Sequence, residues 1–127
     1  MANENDSKIG SVVWRDLSVP DAAPIRDFYA AVVGWETQPH DMGEYEDYVM
    51  LAPGTTDGVA GVCHARGTNA NVPPQWIVYV TVENVEASAA RCVELGGAVV
   101  DGPRPMGAKP FCIVRDPAGA VLGLIES

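Results

Sequence analysis

The chain has 127 residues, of which 47% are hydrophobic and 20% are charged; this is the composition of one globular domain and excludes wholesale disorder. Seventeen acidic residues against eight basic ones give a net charge of −9. Nucleic acids and anionic membranes bind basic surfaces, so we expect neither as a partner.

We expect no targeting segment among the first residues of the sequence. Residues 1–8 are polar and lack the apolar stretch of a signal peptide, and no apolar run approaches the roughly 20 residues of a membrane helix. We therefore expect a disordered leader over residues 1–8, one domain over residues 9–127 and a cytoplasmic protein. The three cysteines are widely spaced and form no C-x-x-C pair, which predicts buried or half-buried free thiols: Cys63, Cys92 and Cys112.

The first half of the chain predicts a strand, a helix and three further strands. Loose alternation over residues 9–19 indicates a strand. A helix begins at Asp21 and ends at Gly34, because apolar side chains recur every three or four residues between them: Ile25, Phe28, Tyr29, Val32 and Val33. Further strands are predicted over residues 35–38, 47–52 and 59–65, with a polar, flexible segment over residues 39–46.

The second half of the chain predicts the same order of elements. A loop marked by Pro73-Pro74 precedes it, and β-branched and aromatic residues then indicate a strand over residues 75–82. A helix follows and ends before Gly96-Gly97, and the turn Asp116-Pro117-Ala118-Gly119 precedes the last strand. The remaining predictions are the helix over 85–95, a short extended piece over 98–101, a Pro/Gly-rich loop over 102–109, and strands over 110–115 and 120–126.

The two halves correspond at an offset of about 62 to 64 residues. Gly34 corresponds to Gly96, and Ala60-Gly61-Val62 corresponds to Leu122-Gly123-Leu124. Equivalent units bury equivalent faces, so the repeat dictates the architecture. We predict an α+β fold of two βαβββ units, over about residues 9–66 and 75–127, related by a pseudo-twofold axis and forming curved mixed sheets around a cleft.

Several motifs in both halves carry a family resemblance. In the first half they are Trp14-Arg15-Asp16-Leu17, Phe28-Tyr29 and Gly34-Trp35; in the second they are Trp76-Ile77-Val78-Tyr79-Val80, Leu95-Gly96-Gly97-Ala98 and the turn at residues 116–119. In this order the motifs resemble the vicinal oxygen chelate superfamily. That superfamily includes glyoxalase I, extradiol dioxygenases, methylmalonyl-CoA epimerase and bleomycin resistance proteins. The resemblance extends over nearly the whole chain from residue 9 and implies the paired βαβββ fold.

The resemblance also allows the metal ligands to be examined one position at a time. Metal-dependent members hold a divalent ion with His, Glu or Gln side chains on the first and last strands of each unit. In this chain the four positions fall at Trp14, Gly61, Ile77 (or Trp76, if the strand carries a bulge) and Gly123. None of these side chains can ligate a metal ion. The resemblance therefore implies no family-type metal centre here, and we predict no cofactor.

The same positions suggest a pocket for a ligand. Glycines at two equivalent strand positions leave space, either for close packing of a neighbouring element or for a widened pocket. Aromatic side chains could line such a pocket, although each could equally be a core residue, and Asp16 or Arg115 could supply a polar group. The predicted ligand-binding residues are Trp14, Asp16, Gly61, Trp76, Ile77, Tyr79, Phe111 and Gly123.

These observations favour a metal-free protein that binds a small aromatic or cationic molecule, as bleomycin-resistance-like proteins do. This interpretation requires a cleft that side chains do not fill. The exposed sheet edges and apolar helix faces of such a fold would suit a homodimer.

Two enzymatic alternatives remain. A metal-dependent lyase, dioxygenase or epimerase would need displaced ligands that converge, such as Asp16, His64 and Glu126. A metal-free enzyme could instead use Asp16 as a general base. His64 is out of phase with Gly61 and Cys63, so we expect it to face away from the cleft.

Overall fold

The computed structural model describes residues 8–127, which contain two α-helices and eight β-strands. A 3₁₀ turn, Gly67–Asn69, follows the fourth strand. In chain order the elements are β1 (Val12–Val19), α1 (Ala22–Val33), β2 (Glu36–Asp41), β3 (Glu46–Leu51), β4 (Gly58–His64), β5 (Trp76–Val82), α2 (Val85–Glu94), β6 (Ala98–Met106), β7 (Lys109–Arg115) and β8 (Val121–Glu126). The predicted α+β class and the repeated βαβββ order are confirmed. The predicted disordered leader falls almost wholly on residues 1–7, outside the described residues.

The chain divides into two compact units. One comprises residues 15–76, and the other comprises residues 77–127 together with the chain up to Trp14. Sequence analysis places all of β1 in the first unit, whereas in the structure its first residues belong to the second. Just before β1, the N–H of Gly10 donates to the carbonyl of Thr81, and the N–H of Thr81 donates to the carbonyl of Ser11, at 2.8 and 2.9 Å.

The unit of residues 15–76 contains a mixed sheet in the order β2-β3-β4-β1. β1 and β4 are parallel, with Asp16 opposite Gly61, and the other neighbours are antiparallel. Helix α1 covers one face of this sheet. The buried side chains of that core are Leu17, Val19, Ala22, Tyr48, Met50, Ala60 and Val62. Because strand side chains alternate, Asp16 and Cys63 point to the opposite face.

The unit of residues 77–127 repeats this arrangement in the order β5-β8-β7-β6. β5 and β8 are parallel, with Tyr79 opposite Gly123, and the other neighbours are antiparallel. Helix α2 packs over a core of Val85, Ala89, Cys112, Val114 and Leu124. The alternate positions, which include Ile77, Tyr79 and Phe111, face away from α2.

Both predicted helices are confirmed, and their ends follow from the sequence. Helix α1 ends at Gly34, which adopts φ +86°, a left-handed conformation that suits glycine. Helix α2 begins after Asn84, whose side-chain oxygen accepts a hydrogen bond from the N–H of Ala87 at 2.8 Å. No helix in the described part of the chain is both long and apolar enough to cross a bilayer.

Two segments predicted as loops are strands. β2 continues through residues 39–41 and pairs with β3, and β6 continues to Met106, opposite Lys109. The predictions of a flexible segment from residue 39 and a loop from residue 102 were therefore wrong at these positions. Both strands lie at the ends of the strand order, where proline is tolerated because its missing N–H need not pair with a neighbour.

The three cysteines are free thiols, as predicted. Cys112 is buried, and Cys63 and Cys92 are half-buried. Burial is the main reason that the pKa of Cys63 lies far above its ordinary value, and the nearby carboxylates of Asp16 and Asp47 raise it further. Burial also raises the pKa of Cys112, to about 11. Both groups are therefore protonated at neutral pH and are not activated nucleophiles.

Candidate functional site

The positions that correspond to metal ligands offer no donor set. Trp14 is half-buried, Gly61 and Gly123 are buried, and Ile77 is fully buried. Among residues 8–127, no three His, Cys, Asp or Glu side chains are arranged to hold a metal ion. The residues present therefore do not fit the divalent ion of the metal-dependent relatives.

The proposed displaced ligands have other partners. Nδ1 of His64 accepts a hydrogen bond from the N–H of Ala22 at the start of α1, at 3.3 Å. Oε1 of Glu126 accepts from the N–H of Val85 at the start of α2, at 2.9 Å. His64 thus faces α1, as its phase predicts, and Asp16 points to the opposite face of the same sheet. The structure does not bring these two side chains together.

The predicted pocket residues of the second unit form a closely packed layer. Ile77, Tyr79 and Phe111 are at most 3% exposed. An added Cβ at Gly123 would lie 2.6 Å from Cε2 of Tyr79, so the tyrosine ring occupies the space that this glycine leaves. Of the two interpretations of Gly123, the geometry favours close packing over a widened pocket.

An ion pair that the sequence analysis missed lies on this layer. Nε and Nη2 of Arg104 donate to the two carboxylate oxygens of Asp101, at 3.0 and 2.8 Å. The guanidinium carbon lies 4.6 Å from the centroid of the Phe111 ring. The hydrogen bond to Asp101 raises the pKa of Arg104. The sequence did not predict this pair, because residues 102–109 had the composition of a loop. Arg115, which the sequence suggested as a polar group of the pocket, is exposed.

Asp16, the catalytic candidate, lies opposite Gly61 on the face of the first sheet that α1 does not cover. Asp47, on β3, is only 8% exposed, and its Oδ1 accepts from the backbone N–H of His64 on β4, at 2.8 Å. The roles of Asp16 and Gly61 in ligand binding stay predictions.

The unit of residues 15–76 carries an open groove of about 310 Å³. It lies between β1, α1 and the segment that leads into β5. Its lining is apolar or aromatic apart from one amide: Leu17, Val19, Ile25, Phe28, Tyr29, Pro74, Gln75 and Trp76. We call this feature the aromatic groove. It contains one of the predicted ligand-binding residues, Trp76, which lies on the α1 side of its strand, while Ile77 points the other way.

The aromatic side chains of the groove hold one another in fixed orientations. Nε1 of Trp76 donates a hydrogen bond to the hydroxyl oxygen of Tyr29 at 3.1 Å, and the two rings meet edge to face with centroids 5.2 Å apart. Phe28 meets Tyr29 at 90° and 5.0 Å, and Trp35 meets Trp76 at 5.9 Å. Phe28 nevertheless remains 54% exposed. This arrangement gives a flat apolar molecule a preformed surface on which to pack.

Sequence analysis assigned Phe28 and Tyr29 to the buried stripe of α1 and so missed the groove. One signal could have found it. Adjacent helical residues point about 100° apart, so two neighbouring aromatic side chains do not both reach the centre of one core. One of them then lies at the edge of the apolar face of the helix, as Phe28 does.

The fold, the repeated units and the motifs together define a glyoxalase-like protein. The chain belongs to the glyoxalase-like domain family, whose family model matches residues 12–125. This confirms the resemblance to the glyoxalase, bleomycin resistance and dioxygenase superfamily.

Two curated proteins are similar to this chain over nearly its whole length. "Putative glyoxylase CFP32" of Mycobacterium bovis is 27% identical over 121 residues, which are 94% of this chain and 45% of that protein. Anthracycline biosynthesis protein DauV of Streptomyces sp. strain C5 is 36% identical over 92% of this chain and 42% of that protein. The chain thus spans less than half the length of these relatives.

The solved structure is a glyoxalase/bleomycin resistance protein/dioxygenase superfamily member from Vibrio splendidus 12B01. It is 14% identical, with a TM-score of 0.58 over 90% of this chain and 97% of that chain. At this identity the likeness concerns the fold.

Proposed function

We propose that the protein binds a small, flat aromatic molecule in the aromatic groove, without a bound metal. The observation that carries this proposal is the groove itself, about 310 Å³ in volume and walled by Phe28, Tyr29 and Trp76. Pockets for small molecules measure roughly 300 to 1,000 Å³ and are mostly apolar with a few polar groups. The groove has this size and this lining.

The geometry of the rings suits an aromatic ligand. Edge-to-face contacts leave the face of at least one ring available, and aromatic pairs contribute about 0.5–1.5 kcal/mol beyond the burial of area. A ligand that covers Phe28 also removes a large apolar side chain from water. The net charge of −9 favours neutral or cationic ligands over anionic ones.

The name of one relative supports the choice of aromatic ligands. DauV is named as an anthracycline biosynthesis protein, and anthracyclines are flat aromatic compounds.

The proposal is tested by titrating the ¹⁵N-labelled protein with fluorene, a flat three-ring hydrocarbon. We expect the indole N–H signal of Trp76, assigned with Trp76→Phe, to shift saturably and to do so equally after dialysis against a chelator. Phe28→Ala should weaken binding about tenfold, because it removes the exposed aromatic wall.

Val93→Ala serves as the matched control, because Val93 is exposed on α2 in the other unit. It should leave the dissociation constant unchanged. The proposal fails if neither fluorene nor its ketone analogue 9-fluorenone shifts the Trp76 signal, or if the shift survives Phe28→Ala with the same midpoint.

A further inference from the structure

We propose that the Tyr29 hydroxyl makes the aromatic groove selective for aromatic molecules that carry a hydrogen-bond acceptor, such as aryl ketones and quinones. This inference rests on the proposed function, because it concerns the same groove. It adds a ligand class and the residue that selects it.

The direction of one hydrogen bond leads to this inference. The indole N–H of Trp76 can only donate, so the hydroxyl oxygen of Tyr29 is the acceptor in their 3.1 Å contact. A phenolic hydroxyl also carries a proton that it can donate. Trp76 does not use that proton, and the side chains and backbone that the structure describes offer the Tyr29 hydroxyl no other hydrogen-bond partner.

The hydroxyl is held in place before any ligand arrives. The Trp76 hydrogen bond fixes its oxygen, and the rings of Phe28, Trp35 and Trp76 pack around the Tyr29 ring. A donor that is already ordered loses little conformational freedom on binding. Because hydrogen bonds in a chain polarise one another, accepting from Trp76 also makes the Tyr29 O–H a better donor.

The surroundings convert this donor into selectivity. Apart from Gln75, the other side chains of the groove lining are apolar. A hydrocarbon in the groove would displace water from the Tyr29 O–H without replacing its hydrogen bond, whereas a carbonyl oxygen would replace it. Sites that place a polar group against a ligand reject analogues that leave that group unpaired.

Two probes test this directly. 9-Fluorenone and fluorene share one flat three-ring frame and differ by a carbonyl in place of a methylene. We would measure both dissociation constants by the same ¹⁵N titration in the wild type and in Tyr29→Phe. The ratio of the fluorene constant to the fluorenone constant should fall about fivefold in Tyr29→Phe, which is the effect of one neutral hydrogen bond. The difference in hydrophobicity between the two probes enters both ratios equally, so it cancels when the ratio in the wild type is compared with the ratio in Tyr29→Phe.

Tyr45→Phe is the matched control, because Tyr45 contacts His64 and does not line the groove. It should leave the ratio unchanged. If the wild type and Tyr29→Phe give the same ratio while both probes bind, the selectivity inference is wrong and the proposed function stands. If neither probe binds the wild type, the proposed function fails and the inference fails with it. Tyr29→Phe keeps the ring packing, and its own fluorene affinity shows whether the groove remains intact.

Discussion

Gly123 lies so close to the ring of Tyr79 that a side chain at this position has no room. We expect Gly123→Ala to lower the free energy of unfolding by about 2 kcal/mol, because overpacking a core forces side chains or backbone to move. Urea denaturation measures this change. Binding of fluorene in the aromatic groove should not change, since the groove lies in the other unit.

A double-mutant cycle shows whether the tyrosine ring is the cause. Tyr79→Leu removes the ring, so Gly123→Ala should cost less in that background, with a coupling of at least about 1 kcal/mol. Strict additivity of the two substitutions would contradict the close-packing explanation.

At the scale of single residues, alternation along the strands predicted orientations well. Alternation predicted that His64 faces away from Asp16 and Gly61, and the structure confirms this. Alternation could not decide between close packing and an open pocket at Gly123. That outcome depends on where the ring of Tyr79, opposite it on the neighbouring strand, comes to lie.

The two helices begin in equivalent ways, which the repeat explains. In each unit, the side chain at the end of the last strand accepts a hydrogen bond from the first backbone N–H of that unit's helix. This side chain is His64 in the first unit and Glu126 in the second. In each unit the next residue donates its N–H to the last residue of the first strand: Ala65 to Val19, at 2.7 Å, and Ser127 to Val82, at 3.0 Å. The sequence offset of 62 residues thus preserves a structural role even where the residue type differs.

This role predicts an order of stabilities at Glu126. Glu126→Ala leaves the Val85 N–H without its acceptor and should lower the free energy of unfolding by about 1 kcal/mol. Glu126→Gln keeps an acceptor oxygen and loses only the favourable charge at the helix N-terminus, so it should cost about 0.5 kcal/mol. Urea denaturation at neutral pH compares the three proteins. Equal stability of Glu126→Ala and the wild type would show that the hydrogen bond has no net effect.

At the scale of elements, the sequence predicted both helices and most of the strands, and its errors share one cause. In β2 the polar residues from residue 39 were taken as a flexible segment, and in β6 prolines and glycines were taken as signs of a loop. The strength of that signal depends on whether the strand lies at an edge, and a single sequence does not show strand order. Because β6 was predicted to end at residue 101, the ion pair between Asp101 and Arg104 was not predicted either.

At the scale of the whole molecule, the repeat explains why the fold was predictable and the aromatic groove was not. Each half of the sequence independently predicts the same order of strands and helix, so the two predictions support one another. The groove occurs on residues that differ between the halves. With Gly34 matched to Gly96, Phe28 and Tyr29 correspond to Ala90 and Arg91. A site built where two repeats diverge carries no signal from the repeat itself.

Apolar side chains are exposed on α2 and just after it, and we expect them to form the contact of a homodimer. Val93 is 56% exposed and Leu95 is 61% exposed, and Val99 at the start of β6 is also exposed. A second copy of this chain would remove them from water, as in a twofold-symmetric contact. Light scattering should then give a mass of about twice 13.4 kDa.

The charge and one substitution test this dimer further. Each copy carries a net charge of −9, so association should strengthen with added salt as repulsion is screened. Leu95→Glu should give a monomer, because it places a charge in the apolar contact. Val32→Glu, at an exposed position of α1, tests whether the contact is confined to α2 and its surroundings, and we expect it to leave the dimer intact. A mass of 13.4 kDa for the wild type at every salt concentration would contradict the dimer.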